Sequence, residues 1–194
     1  FAGMKTTGGL SEPLIKAVIY GAVAGVFAFI WSLLNLNTVS GGMLGGAVGV
    51  MAFVYYIVAA VIGLFIGAVI ILVISAICKG STDFETNVRV SAALMVVMPV
   101  SALLGFAGGI SIYLGVIISL LVNLFMLWLL YNALIETLKA KADTVKIVSY
   151  VLIALFVLMM ISSIMTYRKA NQFMEGFKNS DFKEMMKDLE KETK

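Results

Sequence analysis

Few side chains in this sequence are equipped for chemistry, and four of them stand close together. Lys79, Asp83, Glu85 and Arg89 fall in the stretch KGSTDFETNVRVSAALMVVMP, which runs from Lys79 to Pro99. The chain contains no histidine, which removes the commonest general base, proton shuttle and transition-metal ligand together. Its single cysteine, Cys78, rules out an intramolecular disulfide. Cys78 ends an apolar run, where acylation is conceivable, but one juxtamembrane thiol is weak ground for it. No apolar segment carries an acid at membrane depth, because Asp83 and Glu85 stand at the start of theirs. A proton relay or cation path built on carboxylates is therefore not expected. No nucleophile has a base at a productive spacing. The sequence predicts no catalytic residue, no metal site and no cofactor.

What positions these groups is a set of apolar helices. Hydrophobic residues make up 61% of the 194 residues and charged ones 13%, about half the usual soluble share. The fold class expected is all-α, a polytopic transmembrane helical bundle of five spans with a short amphipathic C-terminal helix. The net charge of +3 is small and dispersed, so no nucleic-acid surface is indicated. The chain begins at Phe1, so a preceding piece is expected, and no apolar core of a secretory signal precedes Ser11. Ser11, Glu12 and Pro13 predict a helix start, and Leu14 to Leu36 the first span. Lys16, in its first turns, reads as an interfacial anchor. Asn35 to Gly46 is a neutral loop, and the charge-free run from Gly41 to Cys78 predicts a Gly-rich lead-in followed by one long tilted helix. The alternative is a hairpin near Tyr55, for which there is no turn chemistry.

The charged loop then starts the third span. Thr82 and Glu85 have capping-box spacing, and a helix is predicted from Asp83 to about Leu104 with a kink at Pro99. Gly105 to Gly109 reads as a short turn and Ile110 to Ile135 as the fourth span, with Asn123 near its middle. A lone amide there is expected to tie its helix to a neighbour. Glu136 to Lys146 is a second charged loop, and Ile147 to Met165 the fifth span. The twelve methionines are scattered and read as adaptable packing. GxxxG pairs such as Gly21 and Gly25 are expected to pack mostly within one chain. The spanning domain covers residues 1–166 and a charged tail residues 167–194. In the tail, Phe177 and Leu189 belong to an apolar strip that should lie on the membrane surface or on a protein partner, a second copy of this chain included, with the net charge near zero favouring the protein. The neutral loops alternate with the charged ones, so the charged loops are expected on the cytoplasmic side.

The order of these features resembles the Yip-domain family, five-span membrane proteins named for interaction with Rab-type GTPases. The resemblance rests on GGLSEPL before the first span, on KGSTDF with Arg89 soon after and Pro99 in the following helix, on the long fourth span, and on the loop Lys139 to Lys146. It covers roughly Phe1 to Met165 and implies a compact prokaryotic-type member in a cell membrane, with GTPase binding as the family association only. Lys79, Gly80, Ser81, Phe84, Arg89 and Pro99 are the candidate partner or structural positions in that stretch. Asn123, Phe177 and Leu189 join them from the residues themselves. The expected role is a non-catalytic scaffold or membrane-organising factor acting through protein or lipid contacts. The competing reading is a small transporter or channel subunit with a polar path between spans two to four.

Overall fold

Small residues decide how the first two helices meet. The computed structural model describes residues 1, 3–5, 7–34, 36, 45–159, 161 and 162, with 45–50, 52 and 112 by their backbone. Helix α1 (Ser11–Leu33) buries Pro13, Ala17, Gly21, Ala24, Gly25 and Ala28 along one side. Helix α2 (Gly45–Ile77) is a single uninterrupted helix of 33 residues, so the hairpin near Tyr55 does not form. The two run antiparallel, with Gly21 against Tyr56 and Ala60, and Gly25 against Phe53. A Cβ on Gly21 would stand 2.8 Å from the Ala60 Cβ and 2.9 Å from the Tyr56 carbonyl oxygen, so only glycine permits this approach. Ala17, Leu64, Ala68, Val88 and Ala92 continue the contact into a buried cluster shared with α3 (Phe84–Leu94).

The third span is broken rather than simply kinked. Helix α3 stops at Leu94, Met95 and Val96 form a turn, and α4 (Val97–Leu103) resumes with Pro99 as its third residue. The Met95 carbonyl, which an amide at Pro99 would have bonded, accepts from the Met98 amide at 2.9 Å. The interruption thus falls at the carbonyl that proline leaves orphaned, and it is repaired locally rather than by a neighbouring helix. A 3₁₀ turn (Leu104–Phe106) and the short α5 (Ala107–Ile110) follow, so Gly105 to Gly109 is helical and not the expected turn. The chain turns instead at Ser111, which has extended backbone angles, before α6 (Ile112–Asn132). Across the bundle the Trp31 indole N–H donates to the Ala102 carbonyl at 2.9 Å and its ring meets Phe106 at 5.3 Å, tying α1 to the far end of this span.

Helix α6 ends in a π turn (Ala133–Thr137), a four-residue loop follows, and α7 (Ala142–Met159) begins earlier than Ile147. Asp143 and Lys146 therefore lie in a helix rather than a loop. Among the described residues there is no strand, and five helical segments are long and apolar enough to cross a bilayer: Ser11–Leu33, Phe53–Ile77, Phe84–Ile110, Tyr113–Thr137 and Ala142–Met159. At 1.5 Å per residue, the 23 residues of α1 span roughly 35 Å, enough for the hydrocarbon core. The chain divides into two compact units, Phe1–Tyr150 and Val151–Lys194. In the second, residues 151–159, 161 and 162 are helical. The tail with Phe177 and Leu189 lies outside the described residues.

Candidate functional site

The charged loops are built by two helix endings that each pass through a left-handed lysine. At the end of α2, Lys79 takes left-handed angles (φ 57°), and the Gly80 amide reaches back to the Ser75 carbonyl at 2.8 Å while the Lys79 amide bonds Ala76. This is a Schellman termination, with lysine where glycine is usual. At the end of α6, Lys139 is left-handed as well (φ 52°), and the Ala140 amide bonds the Leu134 carbonyl at 2.9 Å. Each ending leaves a final carbonyl without an intrahelical donor. The two loops supply donors to each other: the Ser81 amide bonds the Leu138 carbonyl at 2.8 Å, and the Lys141 amide bonds the Cys78 carbonyl at 2.9 Å. The two helix C-termini cap one another. Both lysines stand exposed beside negative helix ends, where a cation is favoured.

Side chains lock this clasp from below. The Ser75 hydroxyl donates to the Ser81 carbonyl at 2.8 Å, and the buried Asn87 amide donates to the carbonyls of Ser81 and Asp83 at 3.2 and 2.7 Å. Gly80 leaves no room for a side chain, since a Cβ would meet the Leu138 carbonyl oxygen at 2.9 Å and the Ser75 hydroxyl at 2.6 Å. Cys78 is fully buried, which makes its acylation in the folded protein unworkable, and burial pushes its thiol above the usual range. The helix that follows is capped by Asp83, not by Thr82. Asp83 Oδ2 accepts from the Thr86 amide at 2.8 Å and from its hydroxyl at 2.6 Å. These bonds, the hydroxyl's first, hold the Asp83 carboxyl below its ordinary value.

Glu85 is left for another task. Arg89, only 5% exposed, donates from Nε to Glu85 Oε1 at 3.2 Å, from Nη1 to Glu12 Oε2 at 2.9 Å, and from Nη2 to the Gly9 carbonyl at 2.8 Å. The same Glu85 oxygen accepts from the Gly9 amide at 2.7 Å, and Glu12 Oε1 accepts from Lys16 Nζ at 2.8 Å. One guanidinium therefore joins the N-terminal segment, the first turn of α1 and the start of α3. The Thr137 hydroxyl donates to the Phe1 carbonyl at 3.2 Å, which brings the N-terminal segment to the α6 ending as well. Beside this network lies a cleft of about 410 Å³ lined by Gly3, Met4, Lys5, Glu12, Pro13, Lys16, Arg89 and Ala92.

Of the positions singled out by sequence, Lys79, Gly80, Ser81, Phe84 and Arg89 come together on this polar face, with Phe84 42% exposed at its rim. Pro99 and Asn123 do not join them. Asn123 donates to the Ser119 carbonyl of its own helix at 2.7 Å instead of bridging to a neighbour. Sequence reasoning missed Glu12 as the partner of Arg89, and it missed Ser75 and Asn87. The four-residue spacing of Glu85 and Arg89 was the available signal for part of the network. Among the described residues no cluster of acids and thiols could hold a metal ion. The arrangement can present exposed lysines and the Phe84 ring on a backbone cross-linked by hydrogen bonds. The chain matches no protein-family model, no curated protein and no solved structure.

Proposed function

We propose that this protein is a non-catalytic membrane anchor, a scaffold or membrane-organising factor that offers its clasped polar face to a protein or lipid partner. The observation that carries the reading is the reciprocal capping of α2 and α6 through Ser81 and Lys141. Two separate charged loops are thereby fixed in one rigid surface, and rigidity lowers the ordering cost of binding. Lys79, Lys139 and Lys141 stand exposed on it against the carboxylates of Asp83 and Glu136, a small cationic excess that complements an acidic partner. At this end the described loops and the start of α3 carry Lys79, Arg89, Lys139 and Lys141 while the turn at Ser111 is uncharged, an asymmetry that by the positive-inside rule favours a cytoplasmic face. The resemblance to compact Yip-domain proteins supports the same role and a cell-membrane location, with GTPase binding resting on that resemblance alone.

A transporter would need polar groups converging between the spans. Two of the polar groups inside them are already engaged: Ser91 donates across to the Leu64 carbonyl of α2 at 2.9 Å, and Asn123 bonds its own helix. The test is reconstitution into sealed vesicles with stopped-flow light scattering for a panel of ions and small neutral solutes. The proposal expects the same traces as empty vesicles. Protein-dependent flux of any solute, lost when Asn123 becomes leucine, would favour the transporter instead.

A further inference from the structure

The cleft beside Arg89 is not used by the clasp, and its chemistry is uneven. Its lining holds three cations, Lys5, Lys16 and Arg89, against the carboxylate of Glu12. Both oxygens of Glu12 are already engaged, Oε1 by Lys16 and Oε2 by Arg89, so its charge is neutralised within the wall. With Glu85 behind Arg89 counted too, the local sum is three cations less two carboxylates, a net +1. Hydrogen-bond donors remain in excess. Arg89 has five N–H groups and the structure gives acceptors to three of them. The Lys16 ammonium uses one of its three on Glu12. Among the described residues Lys5 has no acceptor, and it is exposed. Donors and positive charge left over around a cavity of about 410 Å³ match a small anion with several oxygens.

Position narrows the class. The cleft opens at the first turns of α1, the wet end of a membrane-crossing helix. Its remaining walls, Met4, Pro13 and Ala92, are apolar. Below Lys16 on the same helix face lie Ile19 and Val23, 52% and 39% exposed, three and seven residues on. This stripe leads from the cationic cleft along α1 into the hydrocarbon. We propose that the cleft binds the phosphoryl group of an anionic phospholipid, with Lys5 and Lys16 as phosphate donors, Arg89 as the fixed cation of the wall, and an acyl chain along Ile19 and Val23. The site is independent of the anchoring role, since it would hold whether the clasped face carries a partner or not.

The experiment is thermal unfolding of the full chain in a neutral detergent, titrated with phosphatidylglycerol, phosphatidylcholine or inorganic phosphate. Phosphatidylglycerol should raise Tm, and phosphatidylcholine should not. The double variant Lys5→Gln, Lys16→Gln should need roughly tenfold more phosphatidylglycerol for the same rise. Lys146→Gln, an exposed cation outside the cleft, should leave the titration unchanged. Equal shifts from both lipids, or a double variant that titrates like the parent, would overturn the site. A rise produced by inorganic phosphate alone, and lost in the double variant, would overturn the lipid assignment and make a soluble phosphate the ligand. None of these outcomes touches the flux measurement above.

Discussion

Lys79 and Gly80 are neighbours with opposite requirements. Lys79 has left-handed angles that cost a side-chain-bearing residue roughly 1–2 kcal/mol, while Gly80 is a glycine for lack of space. Lys79→Gly should therefore be neutral or stabilising by up to about 1 kcal/mol, because relieved strain is offset by glycine's greater unfolded freedom. Gly80→Ala should destabilise by about 1–3 kcal/mol, because the Leu138 carbonyl it strikes belongs to the clasp and cannot simply move aside. Denaturant unfolding in detergent micelles reads both, and the account fails here if the two variants shift stability in the same direction. Asp83 gives a pH signature. Its carboxyl is held below the ordinary value of 3.8, so its stabilising effect is complete above that value and is lost as pH falls through the lower folded one. Between about pH 6 and pH 3 the parent should lose more thermal stability than Asp83→Asn. The difference should be modest for an exposed group and shrink in salt; parallel curves for the two proteins would remove Asp83 from the cap. At this scale the sequence marked Arg89 and the loop. It did not mark Glu12, because a contact across 77 residues leaves no local spacing to read.

At the scale of elements, packing of small residues governs what the apolar pattern alone leaves open. Of the glycines with four-residue spacing, Gly21 and Gly25 are buried against α2, whereas Gly63 has open space where its side chain would be. Gly21→Val should cost about 1–3 kcal/mol through collision with the Tyr56 backbone, and Gly63→Val should cost little. Melting temperatures that fall equally for both would contradict the α1–α2 contact. The helices themselves were legible because membrane depth demands long apolar runs, and α2 as one helix follows from the absence of turn residues. Their ends were less so. Gly105 to Gly109 has the composition of a turn, yet glycine tolerates helix, and the extended residue is Ser111. Glu136 to Lys146 has the charge of a loop, yet Asp143 sits in a first helical turn, where its charge is welcome. Thr82 and Glu85 had the spacing of a capping box, but Asp83 is the cap and Glu85 is drawn away by Arg89 and Gly9.

For the whole molecule, the distribution of charge is the feature that sequence and structure describe alike. The two loops expected to share one side are joined by backbone hydrogen bonds, and the N-terminal segment is tied to the same side through Arg89 and Thr137. The sequence predicted a shared side from charge alone, and it could not predict the joining, because backbone amides carry no residue-type signal. The third span runs from this face to the turn at Ser111, the opposite end of Phe84–Ile110. The central claim, one polar face assembled from separate loops on the cytoplasmic side, is tested most directly by labelling with an impermeant thiol reagent. Cys78→Ser provides the background, with Lys79→Cys, Lys139→Cys or Ser111→Cys added singly. In intact cells Ser111→Cys should label, and Lys79→Cys and Lys139→Cys should label only after the membrane is opened. Labelling of Lys79→Cys and Lys139→Cys from opposite sides, or of either from outside, would contradict the account.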